Sequence, residues 1–314
     1  MGQLIKLQDY ISRYEIDTYR YPGQFIRLKK QHWEKVKNAW VEGGLTSPEK
    51  SIIQTEPQHI EEKTSLFQFF KRKRKSDDEV EDSQVNLIKI NEELNDEIDF
   101  SFVYENQPKT IDELKQVFLD HIFDFQMKWA SSTVREKSYV DREFFYDPTL
   151  KYFLQRFPDT YLVLYQPIFL LKKAPVEVEI ILLSPTTTWC ITILEGDDNS
   201  VFVGSKERFW IERNGDKEKK LLSPVIGLQR MDRIVRKIYS LYEIDLPIRK
   251  VILNRSGYFD YPSVPFDIQL VDKRNYEAWF TGARNMVSPL KHMQLKAANA
   301  LLQYCQTTYV RRMD

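Results

Sequence analysis

Three apolar segments in close succession constrain the fold of this chain more than any other feature: "YLVLYQPIFLL" at 161–171, "VEVEIILLS" at 176–184 and "TWCITIL" at 188–194. Each is rich in β-branched or aromatic residues and bounded by Pro, Ser, Thr or Lys, which predicts strands at about 160–171, 176–184 and 188–194. The first is interrupted by Gln166 and Pro167 and falls far short of the ~20 residues of a spanning helix, so it reads as a buried strand. Ahead of them, "YDPTLKYFLQRF" predicts a short helix opening at Pro148. A hairpin or turn region is expected around "SVFVGSKERFWIERNGDKEKKLL". Then comes a helix near 224–243, with Ile226, Met231, Ile234, Ile238 and Leu241 spaced for burial. "KVILN" and "FDIQLVD" supply further strands, and Ser288 and Pro289 cap a last helix with Leu290, Met293, Ala297, Leu301 and Cys305 along one side. Helix, three strands, helix, strand is the order of a mixed α/β core, a mixed β-sheet flanked by helices.

The N-terminal part reads as helical. Residues 1–44 contain "PGQFIRLKKQHWEKVKNAW", where Phe25, Ile26, Trp33, Val36 and Trp40 approximate a stripe, Pro22 or Gly23 starts the helix, and Gly43 and Gly44 end it. Residues 45–109 read as a charged linker, largely disordered. Within it, Phe67, Phe69 and Phe70 precede five consecutive basic residues, Lys71, Arg72, Lys73, Arg74 and Lys75, and an acidic run begins at Asp77. Those five bases are the candidate nucleic-acid-binding patch, with the phenylalanines as anchors. A self-compensating solvated linker is the favoured alternative, because the acids compete for the same bases within a Debye length of about 8 Å. Residues 110–147 form a helical segment expected to pack on the core: Thr110 and Glu113 have capping-box spacing, and Leu114, Phe118, Ile122, Phe125 and Trp129 share a face. His121 lies beside that face and reads as a packed or edge residue rather than a ligand.

A chain of 314 residues holds one main core with appendages. Its 46 acids balance 46 bases, so any attraction to nucleic acid must come from a local patch. Cys190 and Cys305, far apart in sequence, offer no disulfide framework, and the opening residues contain no signal-peptide segment; a cytoplasmic protein without an integral membrane segment is expected. There is no P-loop, no G-x-G-x-x-G turn, no H-E-x-x-H, no cysteine pair at zinc spacing and no G-x-S-x-G elbow.

The stretch "VEVEIILLSP", followed by "TWCITIL" and "VFVGSKERFWIERNGDKEKKLLSPV", resembles the nuclease-related domain (NERD) family, whose fold is related to the PD-(D/E)XK nucleases. The likeness covers about residues 148–260 and implies a restriction-endonuclease-like domain at 148–314, ending in the C-terminal helix, with 1–44 as an N-terminal helical extension. In that family a strand acid and a Glu-x-Lys on the next strand form the nuclease site. Two carboxylates hold Mg²⁺, which polarises the phosphoryl oxygen and activates a water, while the lysine supports the nucleophile or the developing charge.

Here the resemblance puts the first acid on Glu179, with Glu177 on the same strand face. Aligned without a gap through Pro185, the family's Glu falls on Thr192 and its Lys on Leu194, neither of which can do that chemistry. Ser223 and Gly227 stand at the Asn and Gln of the family's Asn-Pro-x-x-Gln element. A rearranged site would use Glu177, Glu179 and Glu195 as metal ligands and Lys206 as the cationic group, with Glu179, Glu195 and Lys206 catalytic. Glu195, however, should face away from Thr192 unless the strand end at Gly196 re-aims it. A solvent-facing role for Glu177 and Glu179, paired with Lys172 or Lys173, weighs equally. Trp189 and Trp210 read as core and hairpin packing in preference to base stacking. The expectation is a non-catalytic nucleic-acid-binding or scaffolding module without a cofactor. Its partners would be DNA or RNA, or a protein held by the N-terminal helices. A Mg²⁺-dependent endonuclease and a purely protein-directed module are the alternatives.

Overall fold

The computed structural model describes residues 1–42, 108–171, 174–286 and 288–312. The proposed basic patch Lys71–Lys75, its phenylalanines, most of the 45–109 linker, and Lys172 and Lys173 lie outside the described residues. The strands are β1 (Gln3–Leu7), β2 (Glu136–Lys137), β3 (Leu162–Tyr165), β4 (Ile168–Leu171), β5 (Ala174–Glu177), β6 (Ile180–Leu183), β7 (Thr188–Ile193), β8 (Val201–Val203), β9 (Phe209–Asn214), β10 (Lys217–Leu222), β11 (Ile248–Leu253), β12 (Tyr258–Asp260), β13 (Ile268–Val271) and β14 (Val310–Arg311). The helices are α1 (Tyr21–Val41), α2 (Ile111–Trp129), α3 (Pro148–Arg156), α4 (Pro224–Leu241), α5 (Tyr276–Arg284) and α6 (His292–Gln303).

The fold is mixed α/β. A six-stranded sheet runs β1-β3-β6-β7-β11-β13. β6 pairs antiparallel with β3 and β7, and every other pairing in the sheet is parallel. β3, β6 and the middle of β7 are buried throughout, which explains why they read as near-continuous apolar runs. A second sheet, β10-β9-β8-β12, contains the expected hairpin; Gly215, at φ 57°, and Asp216 turn β9 into β10.

Two expected long strands are each divided. Gln166 takes a left-handed φ of 48° and Pro167 has no N–H to give, so the chain bends between β3 and β4. On the facing strand the bend falls at Val178 and Glu179, between β5 and β6. The outer halves, β4 and β5, form their own two-stranded ladder.

The N-terminal segment holds the expected helix, α1, but ahead of it also contributes an unexpected strand, β1, to the main sheet, parallel to β3. Leu4, Ile5 and Leu7 are fully buried. Lys6, which breaks the apolar pattern, is buried as well: its ammonium donates to Glu15 Oε1 at 2.6 Å, to the Tyr10 carbonyl at 2.8 Å and to Thr307 Oγ1 at 2.9 Å. That buried ion pair is what the sequence pattern did not disclose.

The chain divides into two compact units, Met1–Lys35 with Lys115–Asp314, and Val36–Leu114. In the larger unit Phe25, Phe125 and Trp129 pack ring against ring, joined by Tyr14 and Tyr21. In the smaller unit, Trp40 Nε1 donates to the Pro108 carbonyl at 2.8 Å. There Thr110 Oγ1 accepts from the Glu113 N–H at 3.2 Å, while the Glu113 carboxylate accepts from the Lys109 N–H instead of closing a full capping box. Helix α5 was missed in the sequence. The last helix starts at His292, after rather than at Ser288 and Pro289.

Candidate functional site

Glu179 sits at the bend between β5 and β6, where its carbonyl accepts from the Gln166 N–H at 2.6 Å. Ile180 pairs with Ile191, so Glu179 lies opposite Thr192, on the same face of the sheet. Its Oε2 accepts from the Ile193 N–H at 3.2 Å. Helix α4 covers it from the other side, with Gly227 so close that an added Cβ would stand 3.7 Å from Glu179 Oε1. Burial pushes the Glu179 carboxyl up to about 7; the Thr192 hydroxyl, the Ile193 N–H and the Arg230 charge offset only part of the desolvation. Thr192 itself is 3% exposed, and its hydroxyl has no hydrogen-bond partner of full geometry among the described residues.

Glu177, exposed at the end of β5, shares a cavity of about 380 Å³ with Glu179, Gly227 and Arg230. The structure therefore brings two of the three proposed ligands to one cavity. The third stands elsewhere. Glu195 follows β7, on the opposite parity to Thr192, and is gripped by Arg255: Nε to Oε1 at 2.5 Å, Nη2 to Oε2 at 2.8 Å and the backbone N–H to Oε1 at 3.1 Å. Burial alone would raise the Glu195 carboxyl, but the Arg255 hydrogen bonds and charge outweigh it and hold the group below the usual carboxylate range. Lys206 is exposed in the loop between β8 and β9 and does not line the Glu179 cavity.

A divalent cation beside Glu179 would find Glu177 at the rim, a neutral hydroxyl opposite, and Leu194 where the family carries its lysine. Among the described residues no group of three or more His, Cys, Asp or Glu side chains is placed to hold a metal ion. The residues present do not fit the two-carboxylate, one-lysine centre that the resemblance implies.

Sequence reasoning missed the outer face of α4. The helix carries one acid, Asp232, which is buried and held by Arg236 at 2.9 Å with Lys250 at 4.0 Å. Arg230, Arg233 and Lys237 are exposed along the helix, beginning at the mouth of the Glu179 cavity. The signal was present in "QRMDRIVRK", as cations at i, i+3 and i+7. Trp210 is fully buried against Phe259 and Tyr261, and Trp189 packs edge-on to Trp279, so both serve packing. Among the described residues, no helix is long and apolar enough to cross a membrane.

A segment of 40 residues is 62% identical to the RNA 2′,3′-cyclic phosphodiesterase of Geobacillus stearothermophilus; it spans 13% of this chain and 13% of that protein. No family model matches the chain. No solved structure matches it either.

Proposed function

We propose that this chain is a nuclease-related α/β module, restriction-endonuclease-like in fold, that binds nucleic acid through the cationic face of α4 and does not cut it. The observation that carries this reading is the pairing of Glu179 with Thr192 while Glu195 is committed to Arg255. The fold part is supported by the succession of α3, the antiparallel run β3-β6-β7, α4, and β11 returning parallel beside β7. That succession puts the strand acid and the second site strand side by side.

Charge distribution supports an anionic partner. Residues 43–107 carry 15 acids and 8 bases, so the remaining residues carry 31 acids and 38 bases, a net charge of +7 hidden by the neutral total. Phosphates laid along α4 would meet Arg230, Arg233 and Lys237 with no exposed helix acid to repel them. The short likeness to a protein named for RNA puts RNA beside DNA among the strands to be tested. A cytoplasmic location is part of the same proposal.

The test has two arms. Mobility shifts of single- and double-stranded DNA and RNA should weaken steeply with salt; binding unaffected by salt, or none at low salt, refutes the nucleic-acid part and leaves a protein-directed module. Plasmid incubated with Mg²⁺ or Mn²⁺ should stay intact. Cleavage that disappears in Glu179→Ala would establish the endonuclease, for which the shared cavity of Glu177 and Glu179 is the favouring observation.

A further inference from the structure

On the other side of the sheet from Glu179, a second cavity of about 560 Å³ opens at the carboxyl ends of the parallel strands β7 and β11. Crevices outside the carboxyl ends of parallel strands are where open α/β sheets take ligands, and this volume is that of a small-molecule site. Its wall includes Lys151, Tyr152, Arg156, Arg255, Ser256 and Tyr276.

The lining side chains are packed and hydrogen-bonded to one another. Tyr152 is 6% exposed, wedged among Phe153, Phe157 and Phe280, and its hydroxyl is within 3.1 Å of that of Tyr276. The Arg255 guanidinium lies over the Tyr152 ring at 4.5 Å and is fixed in plane by Glu195. Both Glu195 oxygens are satisfied by that fork, which leaves Arg255 Nη1 uncommitted to Glu195.

Three cations thus line the cavity against one carboxylate that is already neutralised. Arg156 is exposed at the mouth, and Lys151, whose ammonium also sits over Phe123 at 5.3 Å, stands five residues before it on the same helix. A ligand that fits carries an anion able to accept several charge-assisted hydrogen bonds and a flat ring able to lie against a tyrosine or a guanidinium. We propose that this cavity binds a nucleotide, its phosphate held by Arg156, Lys151 and Arg255 Nη1 and its base laid against Tyr276. Free nucleotide and the phosphorylated end of a strand share this chemistry. The proposal does not depend on the α4 face.

The test is isothermal titration of the full-length chain at low salt with adenosine 5′-monophosphate, adenosine and inorganic phosphate. The monophosphate should bind at least about tenfold more tightly than adenosine or phosphate alone, because two anchored parts are linked. Arg156→Glu, a change at an exposed residue, should weaken the monophosphate about tenfold or more while leaving the melting temperature unchanged, and Arg255→Gln should do the same to binding. Monophosphate that binds no better than adenosine, or that binds Arg156→Glu as well as wild type, overturns the proposal. Competition assigns the source: displacement by a short 5′-phosphorylated strand but not its 5′-hydroxyl counterpart indicates a strand end, and displacement by neither indicates the free nucleotide.

Discussion

Replacing Glu179 by Gln should make the protein more stable, by a margin that grows as the pH rises from about 4.5 to about 7 and is constant above. The carboxyl has an ordinary value of 4.5 and titrates at about 7 in the fold, because α4 and the sheet strip it of water and supply too little in return. A carboxyl whose value is raised on folding favours the native state while protonated. That contribution is complete below pH 4.5 and is lost as the pH rises through about 7. At about 1.4 kcal/mol per pH unit, the loss amounts to about 3 kcal/mol by pH 9. Glutamine fills nearly the same volume and has no charge to desolvate. Urea melts of wild type and Glu179→Gln from pH 4 to pH 9 should therefore nearly coincide at pH 4 and separate by about 3 kcal/mol at pH 9, with the variant the more stable. Millimolar Mg²⁺ should leave the wild-type profile where it is, since a cation seated on Glu179 would favour the ionised form and erase the difference. A gap that does not change with pH, or one that Mg²⁺ abolishes, refutes the reasoning.

Three further outcomes follow from the same geometry. Lys6→Met should cost about 3 kcal/mol in a chemical melt, because it removes the ammonium that pairs with Glu15 and leaves a part-buried carboxylate without that cation; a cost below about 1 kcal/mol would mean that water reaches the pair. Gly257→Ala places a Cβ 2.3 Å from the Ser200 carbonyl oxygen, so the backbone must move, and a loss of about 2 kcal/mol in the same melt is expected. In strand-binding assays, the slope of log K against log salt should be about −3 for double-stranded DNA and become about 1 less steep for each of Arg230→Gln, Arg233→Gln and Lys237→Gln. Unchanged slopes would move the interface away from α4.

Legibility in the sequence followed the kind of burial. Strands β3, β6 and β7 were visible because each is apolar along its length, and β11 and α4 because period and length agreed. Strand β1 was not, since its one charge is a buried lysine satisfied by residues as distant as Thr307, a pairing no local pattern reveals. The bend at Gln166 depends on a left-handed backbone conformation that the strand-forming residues around it conceal. At the site, strand alternation correctly separated Glu195 from Thr192, but the sequence held no sign that Arg255, 60 residues on, would claim Glu195. The α4 cations were legible as spacing and became a surface only once Asp232 was seen to turn inward.

The most direct measurement is a Mn²⁺ titration of the full-length protein, followed by the electron paramagnetic resonance signal of the free ion and set beside the same titration of Glu179→Gln. Superimposable curves, with plasmid left intact in the same samples, are the predicted result. A stoichiometric Mn²⁺ ion bound by the wild type and lost in the variant, with plasmid nicked, would contradict the account.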